Sequence, residues 1–93
     1  MELEFLVSLP VKTVIFRLRL GDRFERDLIE SIRTIVDEPE IEFDRLRDVL
    51  LESELVYRLR GDAGSYYLAL TDVGQAVADG LYQIEFLLGG KRK

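Results

Sequence analysis

Two short strand-like runs rich in aliphatic and aromatic side chains, 55–60 and 65–70, stand out in the second half of the chain. Successive side chains of a β-strand point to opposite faces, so Arg58 and Arg60 share one face of the first run. The runs are separated by residues 61–64, whose two glycines can adopt the positive φ that a tight turn often requires. Together these patterns predict a β-hairpin.

A helix over residues 11–20 is predicted from the spacing of its apolar positions. They recur at i, i+3, i+4 and i+7, which places them on one helical face. These positions are Val11, Val14, Ile15 and Leu18. Ser8 and Pro10 come just before, and both residue types are favoured at helix starts. The end of the stretch, 17–20, alternates and its neighbours favour sheets, so an extended strand is the alternative.

Two more helical patterns follow, each bounded by a stop signal. The first begins after Gly21 and ends before Pro39, because the residue preceding a proline avoids the helical region. Its apolar face is formed by Phe24, Leu28, Ile32 and Ile35. The second pattern covers residues 43–53, and its apolar face is formed by Phe43, Leu46, Val49 and Leu50.

The last predicted helix spans residues 72–88, with Thr71 or Asp72 as its cap. It carries a second apolar face besides the one that fits the core, and such a helix usually meets another subunit. The alternative is that residues 1–7, interpreted as a short strand or an arm, fold back over that face. The predicted order is helix, helix, helix, hairpin, helix, which makes residues 1–93 a single α+β domain.

The hairpin and the residues after it resemble the wing of winged-helix regulators of the PadR and MarR families. These families often show a G-L-V … Y-x-L-T-x-x-G pattern there. The chain has Leu55-Val56-Tyr57, then Tyr67-Leu68-Ala69-Leu70-Thr71, and then Gly74. It departs from the pattern in Glu54, where the families often have glycine, and in Ala69, which is an extra residue. The resemblance implies a winged helix-turn-helix.

That resemblance also implies roles for named residues. Helix 43–53 would read the major groove, the hairpin would contact the DNA backbone, and helix 72–88 would form a homodimer. The DNA-binding candidates are Arg45, Arg47, Arg58, Arg60 and Ser65. The dimer-interface candidates are Val77, Leu81, Tyr82, Ile84, Phe86 and Leu88.

Composition argues against catalysis. The chain has no histidine and no cysteine, which removes the most common general base and the most reactive nucleophile. Carboxylates are frequent in residues 37–44, but their spacing does not match a calcium-binding loop, so we expect a solvated connection. We therefore expect no enzyme, cofactor or metal. An acidic start, the absence of cysteine and the absence of a long apolar run predict a cytoplasmic protein.

Charge leaves the target open. The net charge is −5, whereas domains that bind nucleic acid are usually basic. Asp44, Asp48 and Glu52 follow one another at helical spacing on the predicted reading helix, where they could pair with its arginines. The resemblance nevertheless implies a homodimeric, sequence-specific DNA-binding regulator, which is the function that we expect. The alternative is an acidic winged-helix module that binds a basic protein and not DNA.

Overall fold

The protein is described by a computed structural model that covers residues 2–91. A three-stranded antiparallel sheet lies at one end of a helical layer, and its strand order is β1-β3-β2. The helices are α1 (Leu3–Val7), α2 (Leu9–Arg19), α3 (Glu25–Ile32), α4 (Pro39–Glu52) and α5 (Asp72–Lys91). The strands are β1 (Arg23–Phe24), β2 (Val56–Arg60) and β3 (Tyr66–Leu70), with a 3₁₀ turn at Asp62–Gly64 between the last two.

The hydrophobic core joins α2, α3, α4, the hairpin and the first half of α5. Its largest fully buried side chains are Phe43, Ile15, Leu28, Ile32, Leu50 and Leu68. Burying such side chains is the main stabilising contribution in a domain of this size. The prediction of a helix over residues 11–20 is confirmed, and so is the α+β winged helix-turn-helix.

Strand register decides which face of the hairpin meets the core. Val56 pairs with Leu70 and Arg58 pairs with Leu68. Directly opposed residues of an antiparallel pair lie on the same face, and Leu68 is fully buried. The inner face of the hairpin is therefore the one that carries Arg58.

Several element boundaries differ from the sequence prediction. Helix α5 continues to Lys91, past the predicted end at residue 88, and Phe24 lies in β1 and not in a helix. Residues 3–7 form a short helix, neither a strand nor an extended arm. Helix α3 ends at Ile32, before Ile35. Helix α4 begins at Pro39, four residues before the predicted start. Proline is tolerated at the first helical position because its missing N–H would have no helical partner there, so the residue that ends one pattern also begins the next helix.

Glu54 ends α4 in the left-handed region, with φ 60. Its backbone N–H donates to the carbonyl of Leu51 at 3.0 Å, and the N–H of Leu55 donates to the carbonyl of Leu50 at 3.0 Å. This pair of bonds is the Schellman arrangement, which glycine favours at the left-handed position. Glu54, where the PadR and MarR families often have glycine, is therefore the left-handed residue of this junction, the position at which glycine fits best.

Thr71 connects the end of α4 to the start of α5. Its hydroxyl accepts from the N–H of Gly74 at 2.9 Å and donates to the carbonyl of Glu54 at 2.7 Å. Its own N–H donates to the carbonyl of Leu55 at 3.0 Å. Thr71, rather than Asp72, is therefore the cap of α5.

None of the helices within residues 2–91 has the length and apolar character needed to cross a lipid bilayer.

Candidate nucleic-acid interface

Helix α4 presents a mostly acidic outer face. From Glu38 to Glu52 the chain carries six carboxylates and two arginines. Arg45 points outward, with its side chain 70% exposed, and its only ion pair among the described residues is a 3.4 Å contact to Glu42. Arg45 is thus the one basic side chain of α4 that is free to reach a ligand in front of this helix.

Arg47 turns back toward the protein and is only 13% exposed. Its guanidinium bonds Glu25 at 3.2 Å, Asp44 at 3.0 Å and Asp48 at 3.1 Å. The sequence raised the possibility that the arginines of this helix are ion-pair partners of its own acids, and for Arg47 that interpretation is correct. Arg47 as a DNA contact stays a prediction, and in this structure its guanidinium is occupied by three carboxylates.

Arg58 lies on the inner face of the hairpin and bonds the same carboxylate. Its Nε donates to Oε2 of Glu25 at 2.6 Å and its Nη2 donates to Oε1 at 3.2 Å. Its guanidinium also stacks 3.9 Å from the centre of the Tyr66 ring. The hydrogen bonds that Arg58 donates to Glu25 raise the pKa of Arg58 above its usual value, so it stays charged.

We call the β2-β3 hairpin, residues 56–70, the wing. Arg60 and Ser65 lie on either side of the turn at its tip. Arg60 is exposed, and no ion pair to it occurs within residues 2–91. Its guanidinium lies beside Gly64, 3.3 Å from where a Cβ of that glycine would stand. Ser65 is half-buried, and its carbonyl accepts from the N–H of Gly61 at 2.7 Å, which closes the turn.

Arg26 was missed by the sequence analysis. It is exposed on α3, and its guanidinium lies 4.8 Å from the centre of the Phe24 ring. Phe24 belongs to β1, which pairs with β3, and its ring packs edge-on against Tyr67. A two-residue strand has no recognisable sequence pattern, so nothing in the sequence indicated that Arg26 would lie beside the wing.

The predicted dimer residues of α5 fall into two groups that differ in burial. Leu81 is buried in the core and Val77 packs against it, so both side chains serve the subunit itself. The other four side chains are exposed: Tyr82, Ile84, Phe86 and Leu88. Helix α1 packs against α2 and leaves these four side chains uncovered, so the alternative of a covering N-terminal segment is wrong for residues 2–7.

No protein-family model matches the chain, and no curated protein matches it. Several solved structures, in contrast, match the chain in fold. A ZitR mutant from Lactococcus lactis is 17% identical, with a TM-score of 0.75, over 92% of this chain and 58% of that one. MepR from Staphylococcus aureus, a transcription regulator of the multidrug efflux pump MepA, is 13% identical, with a TM-score of 0.77, over 95% and 64%. The transcriptional repressor BigR from Xylella fastidiosa is 23% identical, with a TM-score of 0.66, over 88% and 80%.

The chain has the winged-helix fold of transcription regulators. Of the two families that the wing resembles, the MarR type is the one that the likeness to ZitR and MepR supports, and PadR specifically is not shown. The chain spans about three-fifths of the ZitR and MepR chains that it matches. None of the three neighbours supports the alternative of an acidic module for a basic protein partner.

Proposed function

We propose that the chain is a cytoplasmic transcription regulator that binds duplex DNA as a homodimer, and not an enzyme. The observation that carries this proposal is the winged-helix fold itself, in which α4 lies next to an arginine-bearing hairpin. MepR, of similar fold, is a transcription regulator, and BigR is a transcriptional repressor.

The charge distribution suggests different roles in DNA binding for α4 and the wing. With six carboxylates between residues 38 and 52, α4 repels phosphates, so attraction to the backbone must come from the wing side. Arg60 is the wing arginine without an ion pair among the described residues, Ser65 lies at the same end of the hairpin, and Arg26 extends the basic surface. Arg45 is placed to read a base, since arginine can bond both O6 and N7 of guanine.

The exposed apolar side chains at the end of α5 would form the dimer contact. Covering Tyr82, Ile84, Phe86 and Leu88 removes apolar surface from water, which favours association. A two-fold axis through this contact would present two copies of α4 to one duplex. Half-sites about one helical turn apart, roughly 34 Å, would then match the dimer.

DNA binding is tested with duplexes selected from a random library, measured by fluorescence anisotropy across a range of salt concentrations. We expect binding to weaken linearly with the logarithm of salt, and Arg60→Ala to make that slope shallower by about 1. Arg45→Ala should reduce the preference for the selected duplex over a scrambled one. Arg17→Ala, which removes an exposed arginine from α2, is the matched control. Absence of binding at the lowest salt would reject the proposal.

Dimerisation is tested by sedimentation and light scattering. Phe86→Asp should give a monomer, because a charge cannot be buried in an apolar contact without a partner. Gln83→Asp adds the same charge at an exposed polar position of the same helix and should leave the dimer intact. A wild-type chain that stays monomeric at tens of micromolar would contradict the homodimer.

A further inference from the structure

One carboxylate, that of Glu25, is shared by two of the predicted DNA-binding arginines. It lies at the start of α3, bonds Arg47 of α4 at 3.2 Å, and bonds Arg58 of the wing at 2.6 and 3.2 Å. The Glu25 side chain is only 13% exposed. Three elements that surround the candidate interface therefore meet at this single acid.

The geometry of this contact resembles that of an arginine on a phosphate. A guanidinium binds a carboxylate or a phosphate through the same planar pair of N–H groups. Arg58 directs both Nε and Nη2 at the Glu25 carboxylate. Those two donors cannot bind a DNA phosphate while Glu25 holds them.

Glu25 belongs to a cluster of charged side chains in which the acids outnumber the arginines. Glu25, Asp44 and Asp48 provide three negative charges against the two positive charges of Arg47 and Arg58. The cluster is therefore negative overall, and as it stands it repels a phosphate backbone.

The two arginines differ in how easily they can be released. Arg58 is 34% exposed, lies on a strand at the edge of the sheet, and can reach solvent by rotation of its own side chain. Arg47 is 13% exposed and keeps two other acidic partners, Asp44 and Asp48, when Glu25 is removed. Arg58 is thus the arginine that loss of the Glu25 charge would set free.

We propose that Glu25 is an intramolecular competitor of DNA phosphates, which holds Arg58 of the wing and lowers the sequence-independent affinity of the chain for polyanions. DNA as the polyanion rests on the proposed function; the competition itself does not. By suppressing part of the backbone attraction, Glu25 would leave discrimination between duplexes to the base contact of Arg45. It acts through Arg58 and is a positioning residue.

The test compares Glu25→Gln with Asp27→Asn. Both variants remove one negative charge from α3, but Asp27 is exposed and bonds neither Arg47 nor Arg58. The probes are heparin, a polyanion without bases, and a scrambled duplex. For Glu25→Gln we expect elution from heparin at higher salt and roughly three- to tenfold tighter binding to the duplex, with a salt slope steeper by about 1. Asp27→Asn should give a much smaller change in both measurements.

A second comparison keeps the test informative if Glu25→Gln alters the fold. In an Arg58→Ala background, Glu25→Gln should give no larger gain than Asp27→Asn, because the released arginine is absent. A gain that persists without Arg58, or equal gains for the two acids in the wild-type background, would overturn the competitor role. Circular dichroism establishes that each variant is folded.

The outcomes also separate the two proposals. A heparin shift specific to Glu25, together with absence of duplex binding by any variant, would support the competitor and reject the DNA-binding function. Duplex binding by the wild type, with identical behaviour of the Glu25 and Asp27 variants on both probes, would support the function and reject the competitor.

Discussion

Gly74 is the position where adding one methyl group should damage the fold most. A Cβ built on Gly74 would lie 1.9 Å from the carbonyl oxygen of Leu55 and 2.9 Å from its carbonyl carbon. Ordinary contacts of this kind begin near 3.4 Å. Both atoms belong to the backbone, so the clash cannot be relieved by a side-chain rotation. Gly74→Ala must push α5 away from the end of α4 by roughly 1.5 Å.

The displacement breaks a linked set of bonds. The Leu55 carbonyl accepts from the N–H of Thr71, whose hydroxyl caps α5 through the N–H of Gly74. Overpacking of this kind costs about 1–3 kcal/mol or more, and losing one such hydrogen bond costs about 1 kcal/mol. Alanine regains about 1 kcal/mol over glycine inside a helix. The last two effects cancel, so we expect the free energy of unfolding to fall by about 1–3 kcal/mol or more.

Gly80→Ala is the matched control, because it makes the same change in the same helix where no atom lies within 4 Å of the added Cβ apart from its chain neighbours and the backbone of its own helix. It should raise the free energy of unfolding by up to about 1 kcal/mol. Urea denaturation followed by circular dichroism measures both variants, and thermal melts should differ between them by roughly 10 °C or more. If Gly74→Ala is as stable as Gly80→Ala, the close packing of α5 on Leu55 is refuted.

Three other predictions concern the same junction and the start of α4. Glu54→Gly should raise the free energy of unfolding by about 0.5–1 kcal/mol, since φ is 60 there, and unchanged stability in urea would contradict this. Thr71→Val keeps the shape but removes the cap hydroxyl, and should lower the free energy of unfolding by about 2 kcal/mol, measured in the same way. The pKa of Glu40 is lowered by its own backbone N–H and by Arg33, so its stabilising effect is present above the pKa of the unfolded chain and lost as pH falls through the folded pKa. NMR titration should show the Glu40 pKa rising in Arg33→Ala, and no rise would show that the ion pair is not formed.

The spacing of apolar side chains along the chain was sufficient to predict most of the architecture. The hairpin, the helix over residues 11–20 and the apolar stripe of α4 all follow from side-chain periodicity, because each is a property of neighbouring residues. The boundary at Pro39 was misassigned because a proline can end one helix or begin the next, and only the packing of the loop before it decides which. The pairing of β1 with the wing involves two residues, too few to form a pattern.

The sequence was sufficient to predict the order helix, helix, helix, hairpin, helix and to place arginines on α4 and on the hairpin. It could not determine what those arginines bond, because Glu25 lies 22 residues from Arg47 and 33 from Arg58. Contacts of that range depend on how α3, α4 and the hairpin are brought together by the core. The packing of the core leaves Arg45 and Arg60 exposed and brings Arg47 and Arg58 onto the carboxylate of Glu25. The same packing separated Leu81, which the core buries, from Phe86, which it leaves exposed.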